Sequence, residues 1–248
     1  MQDNEKRYSA LEAFFERGEY QQTRLTGLKG DGGLLAVANV PKKYRGTTIN
    51  NLPFGDDNPR ALKIIRKYGL TSVERVDNGV GLYLFGKPSA ENPKGTGTGK
   101  TTASIAIINV YLKERIFQEM TGERQIDNVP AFFMKMAKFQ NVYNSQFRGS
   151  KDVSEANADH YQSLKRRMIN CDLLVLDDVG LRGITETLQN ELYEIIDDRD
   201  TNERATIFTS NVPLDQLSDI MSEQLLSRIE GMTVEIPFTG KDNRKKSL

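Results

Sequence analysis

The run GTGTGKTT at Gly95–Thr102 constrains this chain more than any other stretch, because of what flanks it. LYLFG before it ends an apolar run of β-strand character, and the Ala- and Ile-rich stretch Thr101–Met120 after it has helical character. That order, strand then glycine loop then helix, is the context in which backbone N–H groups and a helix N-terminus cradle phosphates. In such a loop Gly97, Thr98 and Gly99 would offer backbone amides, Lys100 would reach the β/γ-phosphates, the Thr101 hydroxyl would ligate magnesium, and Thr102 would complete the helix start. The strict spacing wants glycine at position 94, which is Lys94. We therefore expect Gly86, Lys87 and Pro88 to begin the loop and Gly97 to resume it, with Ser89–Thr96 as an inserted excursion.

Downstream, CDLLVLDDVG is an apolar strand ending in two carboxylates, as expected where a buried parallel strand delivers acids to the edge of a sheet. Asp177 would hold Mg²⁺ and Asp178 would polarise an attacking water. Asp178 is one methylene shorter than the glutamate common at such positions, so slow hydrolysis is expected. RATIFTSNVP is a further strand, and its Asn211 could bond a γ-phosphate or that water; an Asn opening a turn before Pro213 is the plainer alternative. Arg228 and Arg244 are candidate phosphate contacts, since a guanidinium fork matches phosphate, although a lone arginine also serves as a surface ion pair.

Around these motifs, short apolar runs alternate with helical stretches, which predicts an α/β fold with a mostly parallel sheet. The strands are expected at Gly81–Phe85, Val129–Met134, Leu173–Leu176, Ala205–Thr209 and Met232–Pro237, with further helices at Asn58–Tyr68, Ile184–Arg199 and Leu214–Glu230. Tyr8, Leu11, Phe14 and Phe15 give residues 8–20 an amphipathic helical stripe, either folded on the body or docking a partner. The Gly- and Asp-rich segment after it reads as a loop, giving a boundary near Asn39 between a short extension (1–39) and the main domain (40–248). The 34 basic and 34 acidic residues cancel, so any nucleic-acid contact must come from a local basic patch. One cysteine, Cys171, and one histidine, His160, exclude an intramolecular disulfide and leave no Cys/His zinc set. A soluble protein of the cytoplasm is expected, since no run of roughly 18 apolar residues is present to cross a membrane.

Taken together, VPKKYRG, the GTGTGKTT loop, CDLLVLDDVG, TIFTSN and LLSRIEGMTVEIPFTGKDNR resemble the replicative helicase loaders of the DnaC/DnaI type over roughly Val40–Lys246. The resemblance implies an AAA+ P-loop NTPase core, a parallel five-stranded sheet flanked by helices, with a short helical N-terminal extension. It implies ATP and Mg²⁺ as cofactors, a hexameric replicative helicase and single-stranded DNA as partners, and self-association through the ATP sites. By the same likeness Asn211 matches the sensor 1 residue, Arg228 the arginine finger that completes a neighbour's site, and Arg244 the sensor 2 arginine. The family lines its DNA path with helices between the second and third strands, which fall here at about Met134–Met168. There Phe147 would stack on a base while Lys138, Arg148 and Lys151 track phosphates, and Lys165–Arg167 either join them or form a solvated face. Helicase docking would fall to the Tyr8–Tyr20 helix. Two other readings stay open: an IstB-like transposition ATPase working with a transposase on duplex DNA, and a regulatory module that holds ATP without turnover.

Overall fold

A computed structural model of the chain describes residues 2–126, 129–180 and 184–243. Its centre is a five-stranded sheet of β1 (Gly81–Gly86), β2 (Ala131–Lys135), β3 (Leu173–Asp177), β4 (Thr206–Ser210) and β5 (Thr233–Phe238), in the order β2-β3-β4-β1-β5. Every pairing is parallel. All carboxyl ends therefore lie on one edge, and β4 runs between β1 and β3. The phosphate loop leaves β1 and the paired acids end β3, so the end of β4 must lie between them.

Alternation along the strands decides which residues enter which core. Leu82, Leu84, Phe133, Val175 and Ile207 pack on one face, beneath α1 (Gln2–Arg17), α4 (Pro59–Leu70) and α6 (Lys100–Met120). Tyr83, Phe132, Met134, Leu174, Leu176 and Phe208 pack on the other, with α7 (Met136–Ser145), α8 (Lys151–Asn170), α9 (Glu186–Thr201) and α10 (Glu223–Met232). α6 is buried nearly all round because it lies between the sheet and the N-terminal helices. Among the described residues no helix is long and apolar enough to cross a membrane.

The N-terminal region differs from expectation in two ways. Gly18 adopts an extended conformation and splits the stripe of residues 8–20 between α1 and α2 (Glu19–Thr26). Tyr8, Leu11 and Phe15 are buried on α6, and ion pairs Arg7–Glu114, Glu12–Lys113 and Arg24–Glu119 fasten the two helices there. Of the two alternatives for the apolar stripe, folding on the body is the one that buries Tyr8, Leu11 and Phe15. The glycine-rich segment read as a loop contains α3 (Gly33–Val37), and Leu35 and Ala38 are fully enclosed. It covers the open edge of β2: Phe133 N donates to Ala38 O (2.8 Å) and Asn39 Nδ2 to Phe133 O (2.8 Å), which removes an unpaired strand edge.

Leu214–Glu230 is likewise two elements, a 3-10 turn at Leu214–Asp219 and then α10. The break falls where the Ser222 side chain accepts the Leu225 N–H and caps a new helix. α5 (Ser72–Asp77) completes the helices before β1.

Candidate nucleotide site

The loop after β1 closes on itself through two glycines. A β-carbon on Gly86 would lie 2.1 Å from Gly95 O, so only glycine permits this approach. The turn therefore resumes at Gly95, ahead of the expected Gly97, and the excursion comprises residues 87–94 with Lys94 inside it. Ser89 and Asn92 exchange two backbone hydrogen bonds of 3.1 Å to seal the excursion. The buried Asn92 side chain donates to Thr96 O (2.7 Å) and Gly240 O (3.0 Å), tying it to the loop and to the segment after β5.

Lys100 is buried, and its Nζ donates to Gly95 O (2.9 Å) and Thr98 Oγ1 (3.3 Å), placing the ammonium within the curve of the loop. Gly99 starts α6 in the left-handed region (φ 102°), with the Phe54 ring against it. A cavity of about 190 Å³ separates residues 97–102 from Tyr44, Pro53 and Asn243. None of those three residues was assigned a role from the sequence. Asn243 N also donates to Gly97 O (3.1 Å), which holds the chain after β5 across the loop.

Beyond Lys100 a hydrogen-bonded line crosses the carboxyl edge of the sheet. Thr101 Oγ1 donates to Asp177 Oδ1 (2.7 Å), and Thr209 Oγ1 donates to the same oxygen (2.8 Å). The Thr209 hydroxyl also accepts the Asp178 N–H (2.9 Å), while Thr209 O accepts the Val179 N–H (2.8 Å). Asp178 itself has φ 65°, uncommon for a residue with a side chain, and its Oδ1 accepts from Asn211 Nδ2 (3.0 Å). The structure thus brings Thr101, Asp177, Asp178 and Asn211 together, with Thr209, unnoticed in the sequence, joining them from β4.

The Thr101 hydroxyl and Asp177 carboxylate suit magnesium. They are hard oxygen donors, and adjacent ligands of an octahedral Mg²⁺ stand roughly 3 Å apart. Among the described residues no group of three or more His, Cys, Asp or Glu side chains could hold a metal.

The remaining candidates lie apart from this line. Arg228 projects from α10 onto α9, where it pairs with Asp197 (2.8 Å) and Asp200 (3.0 Å). Hydrogen bonding to Tyr193, with those two carboxylates beside it, holds its guanidinium above the ordinary arginine range. Arg244 lies outside the described residues. Phe147, Arg148 and Lys151 cluster at the turn between α7 and α8, with Phe147 68% exposed and set edge-on to Tyr143. Lys138 is exposed on α7. The Lys165–Arg167 run is largely committed within the molecule. Lys165 pairs with Glu191 and Glu194, and Arg167 donates to Val37 O while stacking on Phe132.

A parallel sheet in this order, a glycine loop closing over a buried lysine after β1 and paired acids at the end of β3 define an α/β P-loop NTPase core of the AAA+ type. Within that class the chain is similar to replicative helicase loaders of the DnaC type. It is 24% identical over 170 residues to the replicative helicase loader DnaC of Escherichia coli K12, covering 68% of this chain and 56% of that one. To the chromosomal replication initiator DnaA of Onion yellows phytoplasma it is 26% identical over 211 residues, covering 85% and 35%. The chain thus spans about a third to a little over half of the length of these relatives. The solved DnaC helicase loader shares the fold, with TM-score 0.56, 20% identity, and 80% of this chain and 99% of that chain covered. Residues 142–246 also match the family described as IstB-like ATP binding protein.

Proposed function

We propose that this chain binds ATP with magnesium, hydrolyses it slowly, and uses that cycle to load a hexameric replicative helicase onto single-stranded DNA at the start of replication. The observation that carries the ATPase reading is the unbroken line Thr101–Asp177–Thr209–Asp178–Asn211 beside the buried Lys100. The loading role rests on the likeness to DnaC and on the exposed Phe147 with its neighbouring cations.

In this reading the loop amides and Lys100 bind the β/γ-phosphates, and Thr101 and Asp177 hold the ion. Magnesium, when bound, neutralises charge developing on the phosphates. Asp178 accepts a hydrogen bond from the attacking water, and Asn211 keeps that carboxylate turned toward the nucleotide. Thr209 positions both acids at once. Thr209→Val is therefore expected to lower kcat about 10- to 100-fold while KM for ATP stays within about twofold, and Thr209→Ser to restore most of the rate. An unchanged kcat would remove Thr209 from the mechanism.

Arg228 completes the site of a neighbouring copy, exchanging Asp197 and Asp200 for a phosphate. Arg228→Ala should leave ATP affinity within about twofold and reduce turnover about 10²- to 10³-fold under conditions of self-association. ATPase rates measured across protein concentrations check this, and equal rates for variant and wild type throughout would discard the finger.

The loader reading is tested by co-elution with a hexameric replicative helicase on a sizing column, with and without ATP and magnesium. A nucleotide-dependent complex supports it. No complex under any condition favours the second reading, a transposition ATPase acting on duplex DNA, which the IstB-like match over residues 142–246 supports. If ATP binds but never turns over, the regulatory module is the better description.

A further inference from the structure

The neutral overall charge leaves nucleic-acid contact to local patches, and one such patch lies far in sequence from the α7–α8 turn. α4 reads PRALKIIRKYGL and carries four cations and no acid. Arg60, Lys63, Arg66 and Lys67 are all exposed, whereas Ala61, Ile65 and Tyr68 face the core. Cations elsewhere, such as Arg7, Lys113, Lys165 and Arg228, have carboxylates within 4 Å. No ion pair forms at the four on α4 among the described residues, where Arg66 donates only to a backbone carbonyl, Ile49 O at 3.2 Å.

This arrangement works against the helix that bears it. Arg60 and Lys63, Lys63 and Arg66, and Lys63 and Lys67 are like-charged neighbours at i, i+3 or i, i+4, which weakens a helix. Arg60 also stands in the first turn, where the helix dipole disfavours positive charge. A run of cations kept under repulsion, with the nearby Glu5 of α1 forming no ion pair with them, is what a polyanion would relieve. The choice of polyanion follows from what the face lacks. A protein partner needs exposed apolar or aromatic anchors, yet the exposed large hydrophobic residues, such as Tyr20, Leu28 and Phe147, all lie off α4, and Leu62 and Leu70, which line a cavity beside Lys63, Arg66 and Lys67, are half-buried. A phosphodiester backbone needs only cations spaced along a line, and Arg60 to Lys67 spans about 10 Å of helix, enough for two or more phosphates.

We infer that the outer face of α4 is a second nucleic-acid contact, a sequence-independent stripe for the phosphodiester backbone, separate from the Phe147 turn. It rests on the proposed DNA-bound role while naming a surface that role does not require. The stripe adds affinity and salt dependence without base selectivity.

The test is the double variant Lys63→Gln/Lys67→Gln, titrated against fluorescein-labelled dT20 and against a 20-base-pair duplex from about 50 to 200 mM salt, with ATP and magnesium present. Removing two repelling charges should leave the melting temperature equal or higher, so a folding defect cannot imitate the result. The expected outcome is roughly tenfold weaker binding at the lowest salt and a log–log salt slope shallower by about 1.4 to 1.8. The oligonucleotide that loses affinity identifies which form of DNA the stripe holds. Phe147→Ala serves as comparator, expected to weaken dT20 binding with little change in slope. Unchanged affinity and slope in the double variant, with Phe147→Ala impaired, would overturn the α4 stripe and leave the loader reading standing. No binding of either oligonucleotide by the wild-type chain would overturn both.

Discussion

Lys100→Ala is expected to weaken ATP binding about 100-fold, roughly 3 kcal/mol, with little change in folding stability. The size follows from where the ammonium lies: Lys100 is buried inside the curve of the loop, its Nζ held by Gly95 O and Thr98 Oγ1, so a bound phosphate would meet a charge shielded from water. Hydrogen bonds between ionised partners in such surroundings are stronger than neutral ones. Both bonds run to its own loop, so its removal is expected to leave the sheet and α6 packing intact. Calorimetric titration with ATP and magnesium checks the affinity, and a melting curve checks the fold. Asp178→Asn supplies the contrast, since it should retain ATP and lose turnover. Wild-type affinity in Lys100→Ala would remove the phosphate-loop role and with it the ATPase reading.

Much of the fold was legible because its main signals are local. Each strand was expected within about two residues of its observed place, since a buried parallel strand reads as a short apolar run whichever face a residue enters. α6 follows from its composition and the loop before it. What escaped notice depends on contacts across the chain. The segment through Leu35 and Asn39 carries loop chemistry, yet it covers the edge of β2, and periodicity holds no record of which edge needs covering. The Tyr8–Tyr20 stripe was visible, but the partner that buries it, α6, is more than ninety residues away. At the site, the glycine loop and the polar residues Asp177, Asp178 and Asn211 at the ends of apolar strands stood out locally, and the parallel sheet brings them to one edge. Thr209 did not stand out, because a threonine in TIFTS is ordinary strand composition until β4 is known to lie between β1 and β3. Gly95 could have been found: with position 94 occupied by lysine, the next glycine was the natural place for the loop to resume.

Arg199 gave no sequence signal at all and should be the most sensitive residue outside the nucleotide site. It lies between Asp198 and Asp200 near the end of α9, a setting that reads as solvated, yet it is fully buried. Its Nη1 donates to Met168 O (2.8 Å), Ile169 O (3.1 Å) and Cys171 O (2.7 Å), its Nη2 to Ala205 O (2.6 Å) and Asp172 O (3.3 Å), and its Nε to Thr206 Oγ1 (2.9 Å). The carbonyls at the end of α8 are those a helix leaves unpaired, and together they carry its negative pole. Burial pulls the Arg199 pKa below the ordinary range, yet guanidinium stays protonated, so these carbonyls serve as its counter-charge. One side chain thereby ties the end of α8 to the starts of β3 and β4, the strands that end in Asp177, Asp178 and Thr209. Arg199→Met keeps the bulk and leaves those carbonyls without their donor, which should cost about 4 kcal/mol and lower Tm by roughly 10 °C. Arg199→Lys should recover little, because an ammonium cannot span carbonyls from three elements. Denaturant melts of both variants decide it: a loss below about 1 kcal/mol in Arg199→Met would mean that water replaces the guanidinium and that β3 and β4 keep their register without it.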